Sequence, residues 1–291
     1  MRDTSWIDQT EYPFASHYLQ VPAGRLHYVD EGHGAPVVMV HGNPTWSFLY
    51  RHLIKELRPA YRCVALDHMG FGLSDKPQDW SYLPADHAAN LSALLDDLEL
   101  RNITLVVQDW GGPIGLAYAV AHPEKVARLI IMNTWAWPVN RDWYYIAFSG
   151  FMGGPIGRQL IRRYNFFAQT IMPQAFGDKR KLTPAAHQHY LRALGAPEDR
   201  TGCMILPRQI IASTPWLGQL WDQIAVLRDK PTLIVWGMKD IAFRAQELQQ
   251  WERTFPAAQV VRLDTVGHYV QEEAAAALAG AVVPFLQSTV K

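Results

Sequence analysis

Short apolar runs rich in β-branched residues recur along the chain with helical stretches between them, and this alternation constrains the fold more than any other feature. Residues 36–40, 62–66, 103–107 and 128–132 read as strands covered on both faces, because such strands carry continuous rather than alternating hydrophobicity. Residues 46–57, 86–98 and 113–121 lie between them with apolar positions at helical spacing. Residues 231–236 and 259–263 continue the series near the C-terminus. Repeated strand–helix–strand units predict a parallel sheet flanked by helices. Ahead of it, residues 17–21 and 25–29, split by Pro22-Ala23-Gly24, predict an antiparallel hairpin at one edge and bring the expected total to eight strands. A doubly wound sheet accommodates 291 residues as one core, and about three quarters of the unfolded surface is buried at this size, so no staple is needed.

From Trp137 to Ser213 the alternation stops. The stretch lacks a clear buried strand and concentrates rings, among them Trp143, Tyr144, Tyr145, Phe148, Phe151, Tyr164, Phe166 and Phe167. The prediction is a helical cap, 137–213, inserted after the sixth strand of a core formed by 1–136 and 214–291. A membrane-surface or partner-binding helix is the alternative, because Arg141, Arg158, Arg162 and Arg163 flank the apolar residues. The cap is preferred, since such rings pack a small lid and line the pocket beneath it.

The 27 basic and 27 acidic residues cancel, so the chain as a whole offers no basic field to nucleic acid or to an anionic membrane. Cys63 and Cys203 are 140 residues apart and form no C-x-x-C pair, which argues against zinc or a disulfide framework and fits reduced thiols in a cytoplasmic protein. The opening segment carries Asp3, Asp8 and Glu11 without an apolar run, unlike a signal peptide, and no stretch approaches the length of a membrane span.

In doubly wound sheets ligands bind beyond the carboxyl ends of the strands. The segment after the fifth strand, Gln108-Asp109-Trp110-Gly111-Gly112, has the strand–turn–helix form of a nucleophile elbow, with aspartate where serine is usual and Val107 in place of the first glycine. A carboxylate nucleophile attacks a saturated carbon and makes an alkyl ester rather than an acyl enzyme. Asp109 as a simple helix cap is the competing reading. His268, after the last strand, fits the base that hydrolyses such an ester, and Asp240, after the seventh, fits the acid that orients it; Asp264, nearer in sequence, ranks lower. The backbone amides of Asn43 and Trp110 suit an oxyanion hole. Their side chains are also donors, suited to a leaving group that departs as an anion, although Asn43 could cap the helix near Thr45 and Trp110 could serve packing alone. His187-Gln188-His189 lacks the third ligand of a metal site, and Gly153-Gly154-Pro155-Ile156-Gly157 follows no strand, so neither a metal nor a dinucleotide is expected.

The stretches Val40-His-Gly-Asn-Pro-Thr45, Gly70-Phe-Gly-Leu-Ser-Asp-Lys-Pro77, Val107-Gln-Asp-Trp-Gly-Gly112, Gly237-Met-Lys-Asp240 and Gly267-His-Tyr-Val-Gln-Glu272 closely resemble the haloalkane dehalogenases of the α/β-hydrolase fold, over nearly the whole chain. The resemblance implies Asp109 as nucleophile, His268 as base, Asp240 as acid, and Trp110 with Asn43 as the halide-binding pair. It implies no cofactor. One subfamily places a glutamate after the sixth strand, where this chain has Asn133; an Asp acid with an Asn–Trp pair is most similar to the third subfamily. The expected substrate is a small apolar halogenated or long-chain compound, and the expected products are alcohol, halide and a proton. The same constellation resembles that of β-lactone decarboxylases of long-chain olefin synthesis. Epoxide hydrolases share the aspartate and tryptophan but open the ring with two cap tyrosines, for which Tyr144, Tyr145, Tyr164 and Tyr190 are candidates by count and against which Asn43 argues. The apolar cap equally suits a subunit contact in a homo-oligomer.

Overall fold

A computed structural model describes residues 4–288; Asp3, one of the acidic residues of the opening segment, lies outside the described residues. The eight anticipated strands are β1 (His17–Val21), β2 (Gly24–Glu31), β3 (Pro36–Val40), β4 (Arg62–Leu66), β5 (Ile103–Gln108), β6 (Val126–Met132), β7 (Thr232–Gly237) and β8 (Gln259–Leu263). They form one sheet in the order β1-β2-β4-β3-β5-β6-β7-β8. β2 pairs antiparallel with β1 and β4, and the remaining pairings are parallel. This is the α/β-hydrolase fold.

The continuous apolar runs are explained by two cores, one on each face. Val38 and Val40 enter one cluster while Val37 and Met39 enter the other, and Leu105 and Val107 oppose Val106 in the same way. Successive strand side chains point to opposite faces, so a strand buried on both sides has no position left for a polar residue. Within the core, α1 (Arg51–Leu57), α2 (Pro84–Asp97) and α3 (Gly111–Ala121) occupy the expected connections. The stretch expected to be one helix from Trp46 opens instead as a 3-10 turn, Ser47–Tyr50, whose first amide donates to the buried Asp67 carboxylate at 2.7 Å.

Between β6 and β7 the chain is helical: α4 (Trp143–Met152), α5 (Pro155–Tyr164), α6 (Met172–Gln174), α7 (Pro184–Ala193), α8 (Thr201–Ala212) and α9 (Thr214–Gln223). Asp142 caps α4 by accepting from the Tyr144 amide at 3.0 Å, and Thr183 caps α7 by accepting from that of Ala186 at 3.1 Å. α4 packs against α5 and α8, whereas α9 returns to pack on α3. The chain closes with α10 (Ala245–Thr254), α11 (Val270–Glu273) and α12 (Ala275–Gln287). Among the described residues no helix is long and apolar enough to cross a membrane.

The connectivity locates the site. From β3 the chain moves outward to β4, then returns to place β5 on the other side of β3. The connections therefore leave β3 and β5 in opposite directions, and a crevice opens beyond their carboxyl ends. The turn after β3 carries Asn43, and the turn after β5 carries Asp109.

Candidate active site

Asp109 stands at a strained position. Its φ is +51°, in the left-handed region that a side-chain-bearing residue adopts at a cost on the order of 1–3 kcal/mol. Three hydrogen bonds fix it there: its amide donates to Asn133 O at 3.0 Å, and its carbonyl accepts from the Gly112 amide at 2.9 Å and from Thr134 Oγ1 at 2.5 Å. α3 starts without a side-chain cap, so Asp109 is not capping it. Two glycines make room for the turn. A Cβ on Gly111 would collide with the Val40 carbonyl, and one on Gly42 would land on the Asp109 carboxylate.

The carboxylate meets the donors expected from the sequence. The Asn43 amide donates to Asp109 Oδ1 at 2.7 Å, and the backbone of Trp110 donates to the same carboxylate. Asn43 does not cap the following helix; the Ser47–Tyr50 turn starts without a side-chain cap. The turn that presents Asn43 is held by His41, whose Nδ1 donates to Gly42 O at 2.8 Å while its Nε2 accepts from the His68 amide at 2.9 Å. Burial pushes the His41 pKa down to about 4, so the ring acts as a neutral brace.

His268 lies 3.8 Å from Asp109 Oδ2 through Nε2 and 2.8 Å from Asp240 Oδ2 through Nδ1. Asp240 is buried, and its carboxylate takes three donors: His268 Nδ1, Asn133 Nδ2 at 2.8 Å and the Ala242 amide at 2.6 Å. Asp264, ranked below Asp240 as the acid, lies exposed just past β8. Burial alone would lower the His268 pKa, but the charge and hydrogen bond of Asp240, aided by Asp109, outweigh it and the net shift is upward. Burial raises the Asp109 pKa above the usual carboxylate value, against the pull of His268 and the two backbone donors.

Three contributors escaped the sequence reading. Asn133 braces the acid, joining Asp240 to β7 by donating to Gly237 O at 3.0 Å and accepting from the Gly237 amide at 2.8 Å. Its only sequence signal was a polar residue at the carboxyl end of a buried strand. Gln108 Nε2 sits 2.8 Å from His268 Nε2, which keeps that atom an acceptor and the ring proton on the Asp240 side. Trp135, beside Trp110 at 4.7 Å between ring centroids, has a buried indole N–H that finds no hydrogen-bond partner among the described residues.

Above Asp109 a cavity of about 300 Å³ is lined by Asn43, Trp110, Trp135, Tyr145, Phe148, Phe167, Ile210, Phe243 and His268, with others. Its walls are contributed mainly by apolar residues of the insertion between β6 and β7 and of the 241–243 turn. Among the described residues, neither the Trp110 indole N–H nor the Asn43 side-chain amide N–H₂ has a hydrogen-bond partner, and the Asn43 side-chain oxygen is buried without one. Of the four tyrosines between β6 and β7, Tyr144 donates to Ile241 O, Tyr145 donates to Ala242 O at 3.2 Å, Tyr190 donates to Glu272, and Tyr164 is exposed. Among the described residues no cluster of three or more metal-ligating side chains occurs; His187 bonds Ala168 O, and His189 bonds Ala185 O and the Asp8 amide.

A family model described as alpha/beta hydrolase fold matches residues 35–275. The chain is 40% identical to haloalkane dehalogenase 2 of Mycobacterium bovis over 95% of its length and 96% of that protein's. It is 38% identical to a cis-3-alkyl-4-alkyloxetan-2-one decarboxylase of Shewanella oneidensis, covering 91% of this chain and 86% of that one. Among solved structures, the haloalkane dehalogenase DbeA of Bradyrhizobium elkanii superposes with a TM-score of 0.83 at 27% identity, over 95% of this chain and 100% of that one. DatA of Agrobacterium tumefaciens, also a haloalkane dehalogenase, gives 0.83 at 26% identity, over 94% and 96%.

Proposed function

The chain belongs to the alpha/beta hydrolase family and has haloalkane dehalogenases among its relatives, and from that premise we propose that it hydrolyses carbon–halogen bonds through an alkyl ester on Asp109. Asp109 Oδ2 attacks the halogen-bearing carbon in line, and the halide leaves with the bonding pair. Oδ1, already held by the Asn43 amide, becomes the ester carbonyl oxygen. His268, oriented by Asp240, then takes a proton from water as the water attacks that carbonyl. The tetrahedral oxyanion is held by the Asn43 and Trp110 amides, the alkoxide leaves with the proton from His268, and the overall products are alcohol, halide and a proton. Trp110 Nε1 and Asn43 Nδ2 bind the departing halide, the combination of the third subfamily. The cap that closes the cavity is residues 137–213, and the core is 1–136 with 214–291.

One observation supports this reading best. A carboxylate nucleophile shares an apolar cavity with two side-chain donors, Trp110 and Asn43, that have no protein partner among the described residues. Donors without an accompanying proton source suit a leaving group that departs as an anion. The test is halide release from 1,2-dibromoethane and 1-bromohexane. Release abolished by Asp109→Ala supports the reading; no release above that variant refutes it.

A β-lactone decarboxylase is the second reading, favoured by the 38% identical relative. A β-lactone assayed in parallel for carbon dioxide and alkene decides between them. Epoxide opening is disfavoured because the hydroxyls of Tyr144 and Tyr145 are engaged with main-chain carbonyls.

A further inference from the structure

The outward side of α4 contradicts the usual pattern of a surface helix. Trp143, Ile146, Ala147, Gly150 and Phe151 follow one another at helical spacing and all face solvent, so the exposed stripe contains no polar side chain. Trp143 is 75% exposed and Phe151 53%, and Ile156 and Tyr164 of the neighbouring α5 stand out at 67% and 59%. A groove beside the stripe, between α4, α5 and α8, is flanked by Arg158, Arg162 and Arg208. Neither α4 nor α5 contains an acidic residue, and among the described residues none of these three guanidiniums is in an ion pair.

The chain-wide charge balance conceals a segregated one. Residues 137–213 hold 10 basic and 4 acidic side chains, a net charge of +6, while the remainder holds 17 and 23, a net charge of −6. The expectation that no anionic surface is recruited rested on the total and does not describe the cap.

We propose that this face docks on an anionic phospholipid membrane, with Trp143, Ile146, Phe151 and Ile156 entering the interface and Arg158, Arg162 and Arg208 meeting the lipid phosphates. Aromatic and aliphatic side chains bordered by arginine are the composition of an interfacial helix. A second copy of the chain is a poorer occupant, because an isologous contact sets this basic face against itself. An acidic protein is outweighed by the width of the apolar stripe. The opposite side of α4 lines the reaction cavity through Tyr144, Tyr145 and Phe148, so docking sets the cavity wall against the phase in which apolar substrates dissolve. The docking itself does not depend on which reaction the cavity performs.

The experiment is co-sedimentation of the full chain with phosphatidylglycerol and with phosphatidylcholine vesicles at low and high salt. Binding to phosphatidylglycerol alone, released by salt, is expected. At roughly fivefold per charge, removing two interfacial arginines lowers partitioning about twenty-five-fold, and R158E/R162E, which also reverses their sign, is expected to lose at least that much. I146E/F151E tests the insertion and is expected to lose binding. Neither pair lines the reaction cavity, so unchanged thermal melting and unchanged turnover of a water-soluble substrate show that both variants are folded. No binding of the wild type to phosphatidylglycerol at low salt overturns the proposal, as does binding that neither variant weakens. Concentration-dependent dimerisation abolished by F151E would give the face to a second copy and overturn it as well.

Discussion

On the proposed mechanism, replacing Asp240 by asparagine separates the two chemical steps. The Oδ2 side of Asp240 faces two donors, His268 Nδ1 and Asn133 Nδ2, and the Oδ1 side faces one, the Ala242 amide. The amide oxygen of the variant therefore takes the Oδ2 side, and its NH₂ is turned against the Ala242 N–H. His268 keeps its proton on Nδ1 and Nε2 remains the base, so tautomer is retained and charge is lost. A hydrogen bond to a charged group contributes about 1.5–3 kcal/mol and a neutral one about 0.5–1.5, so the forming imidazolium loses on the order of 1–2 kcal/mol. At about 1.36 kcal/mol per decade, ester hydrolysis slows about five- to thirtyfold. Alkylation of Asp109 uses no base and keeps its rate. Asp240→Ala also removes the orienting acceptor and forfeits up to the full contribution of a general base, about 10²–10⁴-fold. Rapid-quench halide release from 1-bromohexane reads both steps. In Asp240→Asn a burst approaching one halide per active site precedes a slowed steady state, and the Asp109 peptide gains a hexyl mass. A burst rate that falls as far as the steady-state rate, or no alkylated peptide, would refute the reasoning.

The raised pKa of Asp109 means alkylation is lost as pH falls through a value above the ordinary carboxylate range, because only the anion attacks. The raised pKa of His268 means hydrolysis, which needs the neutral ring, is lost as pH falls through a value above the ordinary imidazole range; wherever Asp109 is still ionised below it, alkyl-enzyme accumulates, visible by single-turnover quench and mass spectrometry. Trp110→Phe removes the indole donor at the leaving group and slows the halide burst about 10²–10³-fold while leaving hydrolysis of a preformed ester near its normal rate. Glu273→Ala strands the amides of Gly177, Asp178 and Gly267, which its carboxylate accepts at 2.7–3.0 Å; at about 1–3 kcal/mol per buried unpaired donor, urea unfolding shifts to lower denaturant by more than 2 kcal/mol.

The sequence by itself determined the eight strands, because burial on both faces leaves a continuous apolar run that local reading detects, and it determined the insertion after β6, because that pattern stops there. Asp109, His268, Asp240, Asn43 and Trp110 were singled out because each follows a strand and ligands gather where strands end; the structure brings four of them to one cavity, with Asp240 hydrogen-bonded to His268. What only the tertiary structure decided are the relations between turns far apart in the chain. That Asn133 joins Asp240, 107 residues away, and that Gln108 meets His268, 160 away, depend on which strands become neighbours, and no local pattern encodes that. Gly42 is constrained for the same reason: the atom it must clear belongs to Asp109 on another strand's turn. The outward stripe of α4 illustrates the limit from the other side. Its residues read as core by hydropathy, and only the packing of α5 and α8 against one side of the helix leaves the other facing water.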